Sequence, residues 1–194
     1  MDQQLISQAR AVKRRRRTTL PTLFLFTDAA HHPDLAGLLA RLPRGIAGIV
    51  FRHDGFPARN RLARRIARIC RARRLALVIA GDWRLAAACR AGLHLRGGAR
   101  PRTAYRGDLT TASVHDRAQL VEARRAGADL VFISPAHPTS SHPGEPALGP
   151  VRWAALARHS PIPTIALGGM TGHNLRSLGR HCAGAGAIGA LMLP

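Results

Sequence analysis

Eight short apolar runs, separated by longer stretches with apolar residues three and four positions apart, constrain this chain more than any other feature. The runs fall at 23–26, 48–51, 75–79, 92–95, 109–112, 130–133, 164–167 and 186–190. Four or five apolar residues make a buried strand, and alternation with amphipathic segments is the pattern of βα units around a parallel sheet. Helical spacing occupies 34–42, 58–73, 83–90, 116–126, 150–159 and 174–181. Eight strands of this kind predict an α/β chain folded as a (β/α)8 barrel of the TIM type. That fold usually takes about 200–250 residues, so 194 residues make a small one. An open doubly wound sheet is the competing architecture, but no Gly-x-Gly-x-x-Gly follows the first run. Between 95 and 109 the sequence offers no good helix, so the fourth helix is expected to be weak or missing.

The barrel is expected to form one domain over 21–194, preceded by a basic, flexible arm at 1–20 that carries Lys13, Arg14, Arg15, Arg16 and Arg17. The formal net charge of +20 invites a nucleic-acid partner, since clustered cations displace counterions from phosphates. Its distribution argues the other way. Lys13 is the only lysine, the arginines are scattered through Ala- and Leu-rich helical stretches, and Phe, Trp and Tyr together make up 4% of the chain, too little for a base-stacking platform. The charge therefore reads as a solvated surface, with 13–17 the one segment suited to polyanions. No window approaches the roughly 20 apolar residues of a membrane span, so no membrane partner is expected. The basic run is not followed by the apolar stretch of an export signal, and a cytoplasmic location is expected. Cys70, Cys89 and Cys182 are far apart and odd in number, which suggests buried thiols rather than disulfides or a zinc ribbon.

Glycine accumulates late in the chain, where many barrels bind phosphate. Residues 163–174 read as a strand, then Gly168 and Gly169, then a helix start; residues 184–191 open into small side chains. Glycines there let the backbone approach an anion and turn amide N–H groups toward it, although a tight βα turn uses glycine for packing as well. The segment 134–149, rich in Pro, Ser, His and Gly, follows the sixth strand and is placed on the same C-terminal face.

Three further segments carry a family resemblance: Thr111-Ala-Ser-Val-His-Asp, then Ala126-Gly-Ala-Asp, and Ser134-Pro-Ala-His-Pro-Thr-Ser-Ser-His142. With Ile165-Ala-Leu-Gly-Gly-Met170 they resemble, in order and spacing, thiamine phosphate synthases and their thiazole-tautomerase relatives, over 23–191. The resemblance implies a transferase of thiamine biosynthesis that joins an aminopyrimidine diphosphate to a thiazole phosphate and releases diphosphate, with Mg2+ and basic side chains around the leaving group. It places Thr139, Ser141, Gly168, Gly169, Ile188, Gly189 and Ala190 around the thiazole phosphate. Arg52, Ser113 and His142 then form the catalytic set at the diphosphate, and Asp82 binds the metal.

Several family positions are altered. In the Gln-x-Arg-x-Lys motif around Arg52, the Gln position is Val50 and the Lys position is Asp54. The partner of Asp82 in an Asn-Asp pair is Gly81, the second metal ligand falls at or near Ala99, and His142 replaces a lysine. Arg96 is a candidate substitute cation. At the tautomerase histidine position stands Pro135, with His137 two residues on. His94 and His137 are expected as site-lining residues, Asp28 as a loop anchor or helix cap, and His31-His32 as a solvated turn. The expected function is synthase-like. The alternatives are a tautomerase-like enzyme or a phosphate-ligand-binding barrel of reduced catalysis, and then a basic nucleic-acid-associated protein. A homodimer is among the assemblies this reading allows.

Overall fold

The computed structural model describes residues 1–29, 34–97, 105, 107–139, 144 and 146–192. Strands β1 (Leu23–Phe26), β2 (Ala47–Phe51), β3 (Ala76–Ala80) and β4 (Gly92–Leu95) are followed by β5 (Thr110–Val114), β6 (Leu130–Ile133), β7 (Thr164–Leu167) and β8 (Cys182–Ala187). They pair in chain order, all parallel, and β8 returns to β1 to close the barrel. Helices α1 (Gln3–Arg16), α2 (Leu35–Arg41), α3 (Arg59–Arg73), α4 (Trp83–Cys89), α5 (Arg117–Arg125) and α6 (Gly149–Arg158) complete the described regular structure, with 3-10 turns at Leu175–Leu178 and Gly189–Leu191. Among the described residues, no helix is long and apolar enough to cross a membrane.

Successive strand residues point to opposite faces, and the two faces bury different residues. Leu23, Leu25, Ile49, Phe51, Ile79 and Val131 belong to the layer between strands and helices. Phe24, Phe26, Val50, Val78, Phe132 and Ile165 fill the barrel interior. Phe132 meets Phe24 and Phe26 edge-on at centroid distances of 4.9 and 4.7 Å, and the His94 ring lies 5.6 Å away, closing the top of this stack. Space for the rings comes from small neighbours: a Cβ on Gly48 would run into the Phe24 ring.

Three sequence expectations are corrected. The eighth strand is Cys182–Ala187 rather than 186–190, because its Cys-Ala-Gly-Ala-Gly-Ala composition gives no apolar signal and the larger Ile188 and Leu191 lie beyond its end. The helix expected at 174–181 is a 3-10 turn, Leu175–Leu178, ended by Gly179 at φ 73°.

The third correction concerns the basic segment. Residues 3–16 form α1, which packs against β8. Leu5, Ile6, Ala9 and Val12 make a buried stripe at helical spacing. The Asp2 carboxylate caps the helix by accepting from the Leu5 N–H at 2.8 Å and joins it to the barrel by accepting from the Gly172 N–H at 2.7 Å. Arg16 donates to the carbonyls of Arg180 and His181 at 2.9 and 2.8 Å, so part of the basic run clamps the helix to the lead-in of β8. The run of charge had masked the stripe beside it. The expected weakness of the fourth helix falls on 98–104 and 106, outside the described residues.

Candidate functional site

The inward period of two continues past the strand ends and delivers polar groups to the C-terminal mouth of the barrel. Phe24 and Phe26 lead to Asp28, Gly48 and Val50 to Arg52, His94 to Arg96, Thr111 and Ser113 to His115, Leu130 and Phe132 to Ser134, and Gly186 to Ile188. All of the residues reached in this way line one cavity of ≈ 630 Å³, together with His53, Asp54, His94, Ser113 and Leu167. A second cavity of ≈ 540 Å³ adjoins it, lined by Pro135, Pro138, Thr139, Gly168 to Thr171 and Gly186 to Ala190. Arg52, His115, Ser134, Leu167 and Ile188 line both. Both volumes fall within the roughly 300–1,000 Å³ of small-molecule sites.

The glycine turns after β7 and β8 meet across the second cavity. Gly168 and Gly169 adopt φ 91° and 61°, and packing requires both: a Cβ on Gly168 would lie 3.0 Å from the Pro135 Cα, and one on Gly169 would strike the Pro138 carbonyl. Close seating of the β6 loop against the β7 turn brings Thr139 and these amides to one wall. The 3-10 turn Gly189–Leu191 lines the same cavity through Gly189 and Ala190, and the first N–H groups of such a turn have no partner within it. Anion binding by amides and a hydroxyl is the chemistry such a wall can perform.

In the first cavity, Arg52 is held by its surroundings. Its backbone N–H donates to Thr27 Oγ1 at 3.1 Å, its Nε donates to the Thr27 carbonyl at 3.3 Å, and its guanidinium lies 5.5 Å from the Phe26 ring centroid and 3.9 Å from the Asp28 carboxylate. Burial lowers its pKa, opposed by Asp28. Ser113 hydrogen-bonds His94 Nε2 at 3.0 Å, while His94 Nδ1 meets Thr111 Oγ1 at 2.8 Å. His94 is buried, and desolvation, aided by Arg52 and Arg96, pushes its pKa down to about 3. The ring is therefore neutral and acts by orienting the Ser113 hydroxyl.

The remaining expected residues divide. His137 is brought near the Gly168–Gly169 turn, donating its backbone N–H to the Gly168 carbonyl at 3.1 Å, but lines neither cavity; its Nε2 is buried without a hydrogen-bond partner among the described residues, and burial lowers its pKa. Ser141, His142, Ala99, His31 and His32 lie outside the described residues. Asp28 lines the first cavity, and Asp34 rather than Asp28 caps α2, accepting from the Gly37 N–H at 2.9 Å. Cys70, Cys89 and Cys182 are free, buried thiols, as expected.

Asp82 does not fit a metal ligand. One carboxylate oxygen caps α4 by accepting from the Leu85 N–H at 2.9 Å, and the other accepts from Arg59 Nη1 at 2.8 Å. Arg59 also donates to the Ala80 carbonyl at 3.1 Å and lies 3.7 Å from Asp54. Asp54 pairs in turn with Arg96. Residues 98–106, where a second ligand would fall, contain no Asp or Glu. Among the described residues no three His, Cys, Asp or Glu side chains gather as a metal site. Mg2+ is usually held through one or two carboxylates with waters and substrate phosphates, and at this position the Asp82 carboxylate is instead taken by the Leu85 N–H and by Arg59.

Two participants escaped the sequence reading. His115 lines both cavities, with Nδ1 2.8 Å from the Ser134 carbonyl oxygen; its signal was the last position of the Ser-x-His segment. Arg59 had no signal, since it sits among the arginines of α3 and reaches the mouth only through the turn after β2.

Comparison with known proteins gives a consistent result. The thiamine monophosphate synthase family profile matches residues 23–191. The chain is 30% identical over 181 residues to the thiamine biosynthesis bifunctional protein ThiED of Geobacter sulfurreducens, an alignment covering 87% of this chain and 36% of that protein. It therefore spans about a third of that relative. With the thiamine-phosphate synthase of Salinibacter ruber it shares 32% identity, over 95% of this chain and 83% of that one. The solved thiamine phosphate pyrophosphorylase from Pyrococcus furiosus superposes with a TM-score of 0.74 at 22% identity, covering 89% of this chain and 87% of the other, which shows a shared fold.

Proposed function

Because this chain belongs to the thiamine monophosphate synthase family, we propose that it joins an aminopyrimidine diphosphate to a thiazole phosphate, forming thiamine phosphate and releasing diphosphate. The thiazole nitrogen donates its lone pair to the pyrimidine methylene carbon. The carbon–oxygen bond breaks, and its electron pair leaves with the diphosphate. Negative charge grows on that oxygen while the carbon becomes cation-like, so fixed positive groups beside it lower the barrier.

One observation supports this reading most: two adjoining cavities at one barrel mouth, each lined by groups that can donate hydrogen bonds to an anion, share Arg52, His115 and Ser134 along their border. In this reading Thr139, Gly168, Gly169 and the amides at 188–190 hold the thiazole phosphate. Arg52 and Ser113 contact the diphosphate, with Ser113 oriented by His94. Ser141 and His142 join them by resemblance alone. A tautomerase-like role is not favoured, since Pro135 stands at the shuttle position and His137 lines neither cavity.

Incubation of the purified chain with both precursors tests the proposal. Thiamine phosphate and diphosphate should appear in equal amounts. Failure to form either, with the protein folded and both precursors intact, contradicts it.

A further inference from the structure

The ion pairs on the β2–β4 side of the mouth form a continuous chain where the family resemblance would place a metal. Asp82 holds Arg59, Arg59 approaches Asp54, and Asp54 holds Arg96. Gly81 lies directly under the last member: a Cβ at that position would just touch it, 3.4 Å from Arg96 Nε and 3.6 Å from its Cζ, so a side chain reaching beyond Cβ competes with the guanidinium for space. Arg96 lines the ≈ 630 Å³ cavity beside Arg52 and Ser113. Its side chain is 53% exposed, against 15% for Arg59, so Arg59 is spent inside the chain while Arg96 faces the opening.

Resting on the functional reading above, we propose that Arg96, seated over Gly81 and aimed by Asp54, takes the place of a divalent cation and binds the diphosphate group together with Arg52. The carboxylates at this mouth, Asp28, Asp54 and Asp82, each already lie beside an arginine. Asp54 and Asp82 serve as positioning residues, because they hold the guanidinium groups and accept no metal. A planar guanidinium presents several N–H donors, so Arg96 can serve Asp54 with one amino group and a phosphoryl oxygen with the remaining edge. Three arginines here meet Asp28, Asp54 and Asp82, and the cluster is charge-balanced before any ligand arrives. Recognition thus relies on directed, charge-assisted hydrogen bonds more than on net attraction.

Calorimetric titration with inorganic pyrophosphate, in EDTA and then in Mg2+, tests the proposal. Pyrophosphate should bind in EDTA, added Mg2+ should not tighten it, and Mg2+ alone should give no saturable heat. Arg96→Ala should weaken pyrophosphate binding roughly tenfold or more, the scale of a lost charged hydrogen bond. Gly81→Asn, a residue that tolerates positive φ, should weaken it too by displacing the guanidinium, with an unchanged melting temperature as the folding control. Absence of pyrophosphate binding in EDTA, whether or not Mg2+ restores it, overturns the proposal, as does wild-type affinity in Arg96→Ala. Metal-independent pyrophosphate binding without any thiamine phosphate formed from the two precursors would support this anion site while contradicting the synthase reading. Product formation combined with strictly Mg2+-dependent pyrophosphate binding would do the reverse.

Discussion

His94 spends both ring nitrogens on neighbouring hydroxyls, Nδ1 on Thr111 at 2.8 Å and Nε2 on Ser113 at 3.0 Å. It packs beneath them against Phe26 and Phe132. A protonated imidazole would have to donate from both nitrogens inside an apolar barrel, which is why burial holds its pKa near 3 instead of 6.5.

That depression sets an acid limit on stability. Between 6.5 and about 3 the unfolded chain binds a proton that the folded chain refuses. The contribution is complete above 6.5 and is lost progressively as pH falls toward 3. Denaturant unfolding measured between about pH 4 and 7 should show this limb in the wild type and a flatter one in His94→Asn, which carries no titrating group. Identical limbs would show that the loss arises elsewhere.

Arg52 borders both cavities, so its removal should reach both substrates. Arg52→Ala is expected to lower kcat/KM for thiamine phosphate formation by about two orders of magnitude, the usual loss for one charge-stabilising donor. Arg52→Lys keeps the charge but cannot reproduce the Nε bond to the Thr27 carbonyl while also facing the ligand. It should recover only part of the loss. Steady-state kinetics with each precursor varied in turn decide the point, and unchanged kcat/KM in Arg52→Ala would remove Arg52 from the site.

Two glycines of one cavity should behave in opposite ways when given a side chain. Gly169→Ala forces a Cβ into the Pro138 carbonyl at φ 61° and should cost on the order of 1–3 kcal/mol. Gly189→Ala points into open space, with no atom within 4 Å of its Cβ, and should leave the melting temperature nearly unchanged. Thermal melts of the pair distinguish glycine kept for packing from glycine kept for access.

Helix α1 should be part of the stable fold. Leu5 has no exposed surface, and Leu5→Ala is expected to destabilise by about 2–4 kcal/mol through lost transfer energy and a residual cavity. Deleting residues 1–20 should expose the apolar groove along β8 and promote aggregation. A truncated chain that melts like the full one would return this segment to the status of an arm.

The barrel could be read from the residues because its signal is local. Strands β1 and β6 are four large apolar residues each, and β4 and β7 are short, mainly apolar runs holding one polar residue, His94 and Thr164, so their ends were visible without any knowledge of contacts. Strand β8 was misplaced because alanine and glycine carry little periodic signal, and it is held by pairing with Leu23 to Leu25 and with β7 rather than by its own side chains. Arg52, Ser113, Asp82 and Arg96 all fell on the mouth side, since the inward parity of each strand carries on into its loop. What parity cannot tell is which partner a side chain takes. Asp82 reads as a metal ligand until Arg59, 23 residues earlier, is seen to occupy it. The same limit hid α1, whose stripe becomes meaningful only beside the groove it covers.

Phe24, Phe26 and Phe132 are the three rings inside the strands, and glycine at 48 leaves the Phe24 ring its space. Two of the three rings come from one strand and the third from the far side of the ring of strands, so the lumen is spanned by a single wedge instead of by even tiers. Tolerance to change should accordingly be lopsided. Trimming any one ring leaves a hollow that glycines and alanines cannot close, whereas enlarging Gly48 demands a smaller residue at position 24. Positions 24 in β1 and 48 in β2 are thereby coupled, and a change at one sets what the other can hold.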